Sequence, residues 1–285
     1  MLEQLQLILY GVVYGSILAL GAIGVSLLFG ILRFANFAHG DLMTLGAYFG
    51  FTAVSLGLPL WLSFPLAMGA TVLVALGIDR FLFKRLRRRE PVILLISSFG
   101  VGLILRSTVQ LLWGTDNQVF RTGIQKPLLF LGLRIKPDQI VIVLGALLLV
   151  MGLHLFLQRT RVGKAMRAMA DNVSLAQITG IDTEEVVRWT WIQGATLACA
   201  AGLFLGLDTR LHPTMGWTQL LPVFAAAILG GIGRPYGAIV GGLVIGITEE
   251  LSTQVISPAY RSGIAFAVLV LMLILRPTGL FGGRS

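Results

Sequence analysis

Apolar runs recur along this chain from end to end, and several reach the roughly 18 residues or more that an α-helix needs to cross a bilayer. Hydrocarbon offers no partner to backbone N–H and C=O groups, so a chain that enters it repeatedly must satisfy them within helices. The pattern specifies an all-α polytopic membrane protein. About eight to nine transmembrane helices are expected, near residues 5–30, 40–57, 60–83, 92–113, 137–157, 186–208, 216–233, 236–256 and 260–276. Only 12% of residues are charged, against about a quarter in a soluble domain, and the mean hydropathy is +0.86. The first run follows Glu3 rather than a basic segment and lacks a small-residue cleavage site, so it reads as a retained span. Residues 1–285 read as a single transmembrane domain.

The net charge of +9 raises the question of nucleic acid. On a membrane protein, basic residues mark cytoplasmic loops instead, and no nucleic-acid partner is expected. "KRLRRR" at 84–89 and the set Arg159, Arg161, Lys164 and Arg167 each follow a span. Placing both inside puts the N-terminus outside and the C-terminus, with Arg276 and Arg284, in the cytoplasm. Arg33 and Arg234 agree in parity. The 114–136 loop then faces outside, although its four basic residues weigh against that placement. The single cysteine, Cys199, excludes an intrachain disulfide and a cysteine metal cluster.

Three features depart from plain spans. In "LRFANFAHGDLMTLGAY", residues 32–48, Arg33, Asn36, His39 and Asp41 stand between two apolar segments with almost no loop. Non-helical backbone at membrane depth must be buried in protein or line a cavity. A half-helix starting near Gly40 would present free N–H groups there, as at many transport pathways. A short cytoplasmic turn is the other reading. In "LGGIGRPYGAIVGGLVIG", residues 229–246, Gly237, Gly241 and Gly242 have the spacing that lets helix backbones approach closely. With Gly230, Gly231 and Gly233 they read as tight helix packing around a sharp hairpin at Gly233–Arg234–Pro235. The segment lacks the Gly-Lys-Ser/Thr of a phosphate loop, and no such motif occurs elsewhere, so ATP hydrolysis by that route is excluded. Third, Arg106, Asp208, Glu249 and Glu250 fall in or near spans, where ionisable groups face a bundle interior or water. An ion pair between Arg106 and one of the three acids, or a substrate contact, are both open. No catalytic set and no metal cluster is read: His39, His154 and His212 are scattered.

Residues 158–185 form a long polar, basic connection expected in the cytoplasm. "GKAMRAMA" suits two helical turns with Ala165, Met166 and Met169 as apolar contacts. Asp171 or Asn172 can cap a second helix through "VSLAQIT", and Gly180 suits its end. No aromatic residue occurs before Trp189, so the Met/Ala face fits a groove on another protein better than lipid.

"TRVGKAMRAMADN" at Thr160–Asn172, with Ala176 and Thr179–Ile181, resembles the coupling loop of ABC importer permeases of the branched-chain amino acid type, and more distantly of ribose-type sugar permeases. "NFAHGDLMTLGAY", "AAILGGIGRPYGAIVGG" followed by Glu249, and "LRPTGLFG" resemble other stretches of that family in the same order. The resemblance implies one permease domain over 1–285, in the bacterial inner membrane, that pairs with a sister permease or a second copy. It implies two ATPase subunits below, which use ATP and Mg, and a periplasmic binding protein that delivers substrate; this chain itself binds no cofactor. Amino acids lead as substrate, with urea, short amides and aromatic or carboxylic acids as alternatives. The family role of seating on the ATPase falls on Gly163, Lys164, Arg167, Ala168, Asn172 and Gly180. A broken helix lining or gating the path falls on Asn36, His39, Gly40 and Asp41. An ion-driven carrier would need mid-membrane acids in paired half-repeats, and none are found.

Overall fold

The structure is a computed structural model that describes residues 2–87, 89–120, 126–130, 132–257, 260–276 and 278–281. Arg88, Arg121, Arg284 and two residues of "LRPTGLFG" lie outside the described residues. In chain order the helices are α1 Leu2–Leu32, α2 Ala38–Ser55, α3 Leu60–Leu86, α4 Pro91–Trp113, α5 Pro137–Arg159, α6 Arg161–Asp171 and α7 Val173–Ile178. They continue as α8 Thr183–Asp208, α9 Met215–Gly230, α10 Pro235–Ser252 and α11 Arg261–Leu275.

Every apolar segment read from the sequence is a helix. Among the described residues, however, five of them (α1, α3, α4, α5 and α8) are both long and apolar enough to cross a membrane. The shortfall against eight or nine has physical causes. α9 and α11 have 16 and 15 residues, so at 1.5 Å per residue they fall short of the ~30 Å hydrocarbon core. α2 carries His39 and Asp41, and α10 carries Glu249 and Glu250, which lowers their hydropathy. The chain is also not purely helical. Within the 114–136 loop, β1 Leu128–Phe130 pairs antiparallel with β2 Leu133–Ile135. Gln6 of α1 holds this hairpin: its amide donates to Arg134 O at 2.9 Å and accepts from Arg134 N at 2.8 Å.

The helices form an inner and an outer set. The most apolar stretches of α1 and α8 are 83% and 78% buried, while those of α3, α4 and α5 are 22%, 33% and 22% buried. Leu73, Ile104, Leu111 and Leu148 on the outer helices are exposed, as expected of residues whose solvent is lipid. The inner set packs through small residues. Gly15 and Ala19 of α1 face Gly242 and Leu243 of α10, and Gly11 faces Gly246 and Ile247. Gly230 and Gly237 meet backbone to backbone across the α9–α10 hairpin, and Gly241 lies against Ala226. Gly231 and Gly233 have φ of 104° and 80° and shape the turn itself. With apolar lipid outside, such helices gain from close van der Waals contact and not from burial of grease.

Three basic stretches share one end of the bundle. Arg33 reaches α6, Arg87 reaches Glu184 of α8, and Gly233 lies beside Gly30 at the end of α1. That agrees with the common side read from charge parity. A Cβ on Gly242 would sit 2.6 Å from Ala19 Cα, so Gly242→Ala is expected to cost about 1–3 kcal/mol through overpacking. Gly152→Ala on α5, with open space at its Cβ position, should be neutral or slightly stabilising. Thermal unfolding of the two variants in detergent checks the contrast.

Candidate functional site

The 158–185 connection is built by three side-chain caps. Thr160 ends α5 and opens α6: its hydroxyl accepts from Gly163 N at 2.9 Å and donates to Phe156 O at 2.7 Å. Asn172, one of the two expected caps, accepts from Leu175 N at 3.0 Å and starts α7. Asp182 accepts from the N–H groups of Glu184 and Glu185 to start α8. Gly180, with φ 84°, turns the chain between α7 and α8.

Burial assigns the faces. Gly163 is buried, and a Cβ there would meet Leu157 Cα at 2.6 Å, so α6 folds tightly onto the last turn of α5. Met166 and Met169 are 1% and 5% exposed. The methionine face read as a partner contact therefore points into this chain. The 3.6-residue period puts Gly163, Met166 and Met169 (with Ala170) on one stripe, and the chain's own α5 and α8 cover it. Lys164, Arg167, Ala168, Asn172 and Gly180 are exposed. Sequence reasoning missed Leu175 and Ile178 on α7, which are 59% and 83% exposed. The signal was present as an apolar pair three residues apart between polar neighbours.

α6 is tied to the segment after α1. Arg33 has φ 58°, the only positive value among described non-glycine residues, and its Nη2 donates to Ala170 O at 2.6 Å. A cation at the carbonyl end of a helix is favoured by the macrodipole. Beside it, Arg87 pairs with Asp79 at 2.6 Å and with Glu184 at 3.0 Å, and Lys84 pairs with Glu184 at 3.0 Å. This network joins the end of α3 to the start of α8.

Residues 33–37 separate α1 from α2, and two N–H groups at the start of α2 are met by side chains. Phe37 N donates to Ser98 Oγ on α4 at 3.0 Å, and Ala38 N donates to Asn36 Oδ1 at 3.1 Å. Asn36, His39, Gly40 and Asp41 are all buried. The His39 ring fills the space left by the missing Cβ of Gly24, and Gly40 lies against Gly216. Asp41 receives Arg106 in a bidentate pair, Nε–Oδ1 3.0 Å and Nη2–Oδ2 3.1 Å, while the guanidinium lies 4.5 Å over the Trp217 ring. Gly102 makes room for the carboxylate. Asp41 is thus the partner of Arg106; Asp208, Glu249 and Glu250 are not. The reason is topological: α4 packs on α2, while Glu249 and Glu250 on α10 meet Arg261 instead. Gly102 stands eleven residues past Pro91 in the 23-residue α4, about 16 Å along it at 1.5 Å per residue. The start of α2 therefore lies near the middle of α4, not at its end.

Among the described residues no group of three or more His, Cys, Asp or Glu could hold a metal. The three histidines are separate, His154 bonding Tyr236 at 2.9 Å and His212 bonding Thr214 at 3.1 Å.

Residues 7–273 match the family described as branched-chain amino acid transport system / permease component. The chain belongs to this branched-chain amino acid transport permease family. It is 33% identical to the high-affinity branched-chain amino acid transport system permease protein BraD of Pseudomonas aeruginosa, covering 98% of this chain and 96% of that one. It is also 33% identical to LivH of Escherichia coli K12, over 98% and 95% of the two chains. A weaker likeness, 27% over 42% of this chain and 39% of the other, is to the ribose import permease protein RbsC of Haemophilus influenzae. Among solved structures, PsaBC from Streptococcus pneumoniae in complex with Fab shares the fold with a TM-score of 0.52 at 15% identity, over 98% of this chain and 94% of that one.

In this family member the Asp41–Arg106 pair is nearly dry, the side chains being 1% and 16% exposed. Asp41→Leu or Arg106→Leu alone is expected to cost about 3–5 kcal/mol, because each leaves a buried charge without its partner. Asp41→Leu with Arg106→Leu should recover much of that loss. Denaturation of the three variants in detergent, read as a double-mutant cycle, measures it.

Proposed function

We propose that the chain is the permease subunit of an ATP-driven importer that carries amino acids across the bacterial inner membrane. The observation that carries the reading is the exposed α6–α7 face, basic at Lys164 and Arg167 and apolar at Leu175 and Ile178, held on the bundle through Arg33. Two cytoplasmic ATPase subunits would seat this face, and they alone use ATP and Mg. A second permease completes the core, and a periplasmic binding protein supplies the substrate. The N-terminus then lies outside and the C-terminus in the cytoplasm. The names of the relatives at 33% identity favour branched-chain amino acids over urea or carboxylic acids.

Function follows from how a push at α6 would travel. Gly163 and the Thr160 cap lock α6 to the end of α5, so the two move together. Arg33 ties the last turn of α6 to the link before α2. From there the backbone runs through Asn36 and His39 to Asp41, which is held by Arg106 in the second half of α4. α2 then starts as a broken helix at membrane depth, and the residues that close its N-terminus form the gate. Closure of the ATPases would favour one of two positions of this segment, and only such a differential contact can shift the equilibrium. The sharply bonded strut matters because a loose tether would transmit nothing.

Charge reversal at Arg167 or Ile178→Glu is expected to lower leucine uptake roughly tenfold or more, with the ATPase no longer co-purifying. Arg33→Ala should lower uptake comparably while the ATPase still co-purifies. Full uptake by Arg167→Glu, with the chain isolated alone and stable, would replace the importer by a self-sufficient carrier.

A further inference from the structure

At the end of the bundle opposite α6, a cavity of 300 Å³ opens between α1, α8, α9, α10 and α11. Its wall combines a charged half and an apolar half. Glu249 is 1% exposed, and its Oε1 has no hydrogen-bond partner. Arg261 Nε stands 4.0 Å from Glu249 Oε2 and is likewise without a hydrogen bond, although another nitrogen of the same guanidinium is taken by Glu250. Arg261 Cζ lies 4.9 Å over the Tyr14 ring, and Tyr14 in turn donates to Gln219 Oε1 at 2.5 Å, so the guanidinium is held in place. Leu205 and Met215, 3% and 1% exposed, close the other side.

The lining holds three carboxylates, Asp208, Glu249 and Glu250, against two guanidiniums, Arg210 and Arg261. Lys136 and Asp138, which also act on Asp208, offset each other. Burial holds the His212 imidazole below its ordinary value, so it adds no charge at neutral pH. Glu249 Oε1 stands open in this lining, next to an unsatisfied guanidinium N–H of Arg261. A buried acceptor and a buried donor left open side by side are costly unless something fills them.

We infer that this cavity is a transit site for the headgroup of an α-amino acid, with the ammonium on Glu249 Oε1, the carboxylate on the Arg261 side and a small apolar side chain against Leu205 and Met215. The inference rests on the importer reading and adds the substrate contacts to it. A simple carboxylic acid could meet Arg261 but would leave Glu249 Oε1 open, and a sugar or neutral amide would bring no ammonium to it. The volume suits one small amino acid, since ligand pockets start at about 300 Å³. The fit also explains why Glu249 is tolerated at the outer part of an otherwise apolar helix.

The test is transport of radiolabelled leucine by the complete complex in proteoliposomes, with Glu249→Gln and Ser262→Trp. Ser262 lies on the exposed rim of the cavity, away from the buried charges, so tryptophan there would plug the mouth without disturbing the core. Both variants are expected to lose roughly tenfold or more in transport, equivalent to about 1.4 kcal/mol, while still assembling with the ATPase. Glu249→Gln should also raise the leucine concentration that half-saturates transport, which a purely structural role for this side chain would not produce. Wild-type transport by either Glu249→Gln or Ser262→Trp overturns the site and leaves the importer reading standing. Should Glu249→Gln fail to assemble, Ser262→Trp decides alone. A wild-type complex that moves no leucine overturns the amino-acid importer itself, and the headgroup site with it.

Discussion

A carboxylate buried in the first turn of a helix that starts level with the middle of its neighbour α4 has to be paired, and at Asp41 the partner is Arg106 through two hydrogen bonds near 3 Å. That single requirement organises much of the inner bundle. α4 must pass close to the start of α2, which Gly102 permits. Trp217 of α9 must cover the guanidinium, and Gly40 must let α9 approach within backbone distance at Gly216. The link before α2 cannot then remain in water, so its N–H groups find Ser98 and Asn36. A buried pair adds little net stability against well-packed apolar residues, but it fixes which neighbours are compatible. Here it holds the depth at which α2 begins.

Much of this was legible in the sequence, for a reason that differs by feature. The helices follow from long apolar runs, because the bilayer imposes length and backbone satisfaction. The caps at Thr160, Asn172 and Asp182 follow from local chemistry that needs no tertiary knowledge. The glycine hairpin at 230–242 was visible from spacing, with Gly231 and Gly233 shaping the turn and Gly233 also lying against Gly30 of α1. The partner of Arg106 was not legible, since an ion pair 65 residues apart depends on which helices touch. The inward turn of Met166 and Met169 was equally hidden. An amphipathic helix announces that it has an apolar face, but not whether its own chain or another protein covers it.

The two ends of the bundle differ in how they are built. At one end, basic side chains are used up in specific work: Arg33 on Ala170, Arg87 on Asp79 and Glu184. At the other, acids are in excess and one carboxylate oxygen is left open at a cavity. In the proposed cycle the first end receives force and the second receives substrate, with the Asp41 region between them. Neither end needs to bind its partner tightly. A transit site that held an amino acid strongly would slow release, so a shallow cavity with a few aimed charges is the suitable form.

The central claim is that α6 and the 33–41 segment move as one linked unit. Spin labels at Lys164 on α6 and at Leu56, just past α2, both exposed positions, would report it by pulsed electron resonance on the assembled complex. The account predicts that the distance between them holds constant when ATP is trapped in the ATPases, and that Arg33→Ala lets it change while α6 remains docked. A distance that changes in the wild-type complex, or that still holds constant without Arg33, would contradict it.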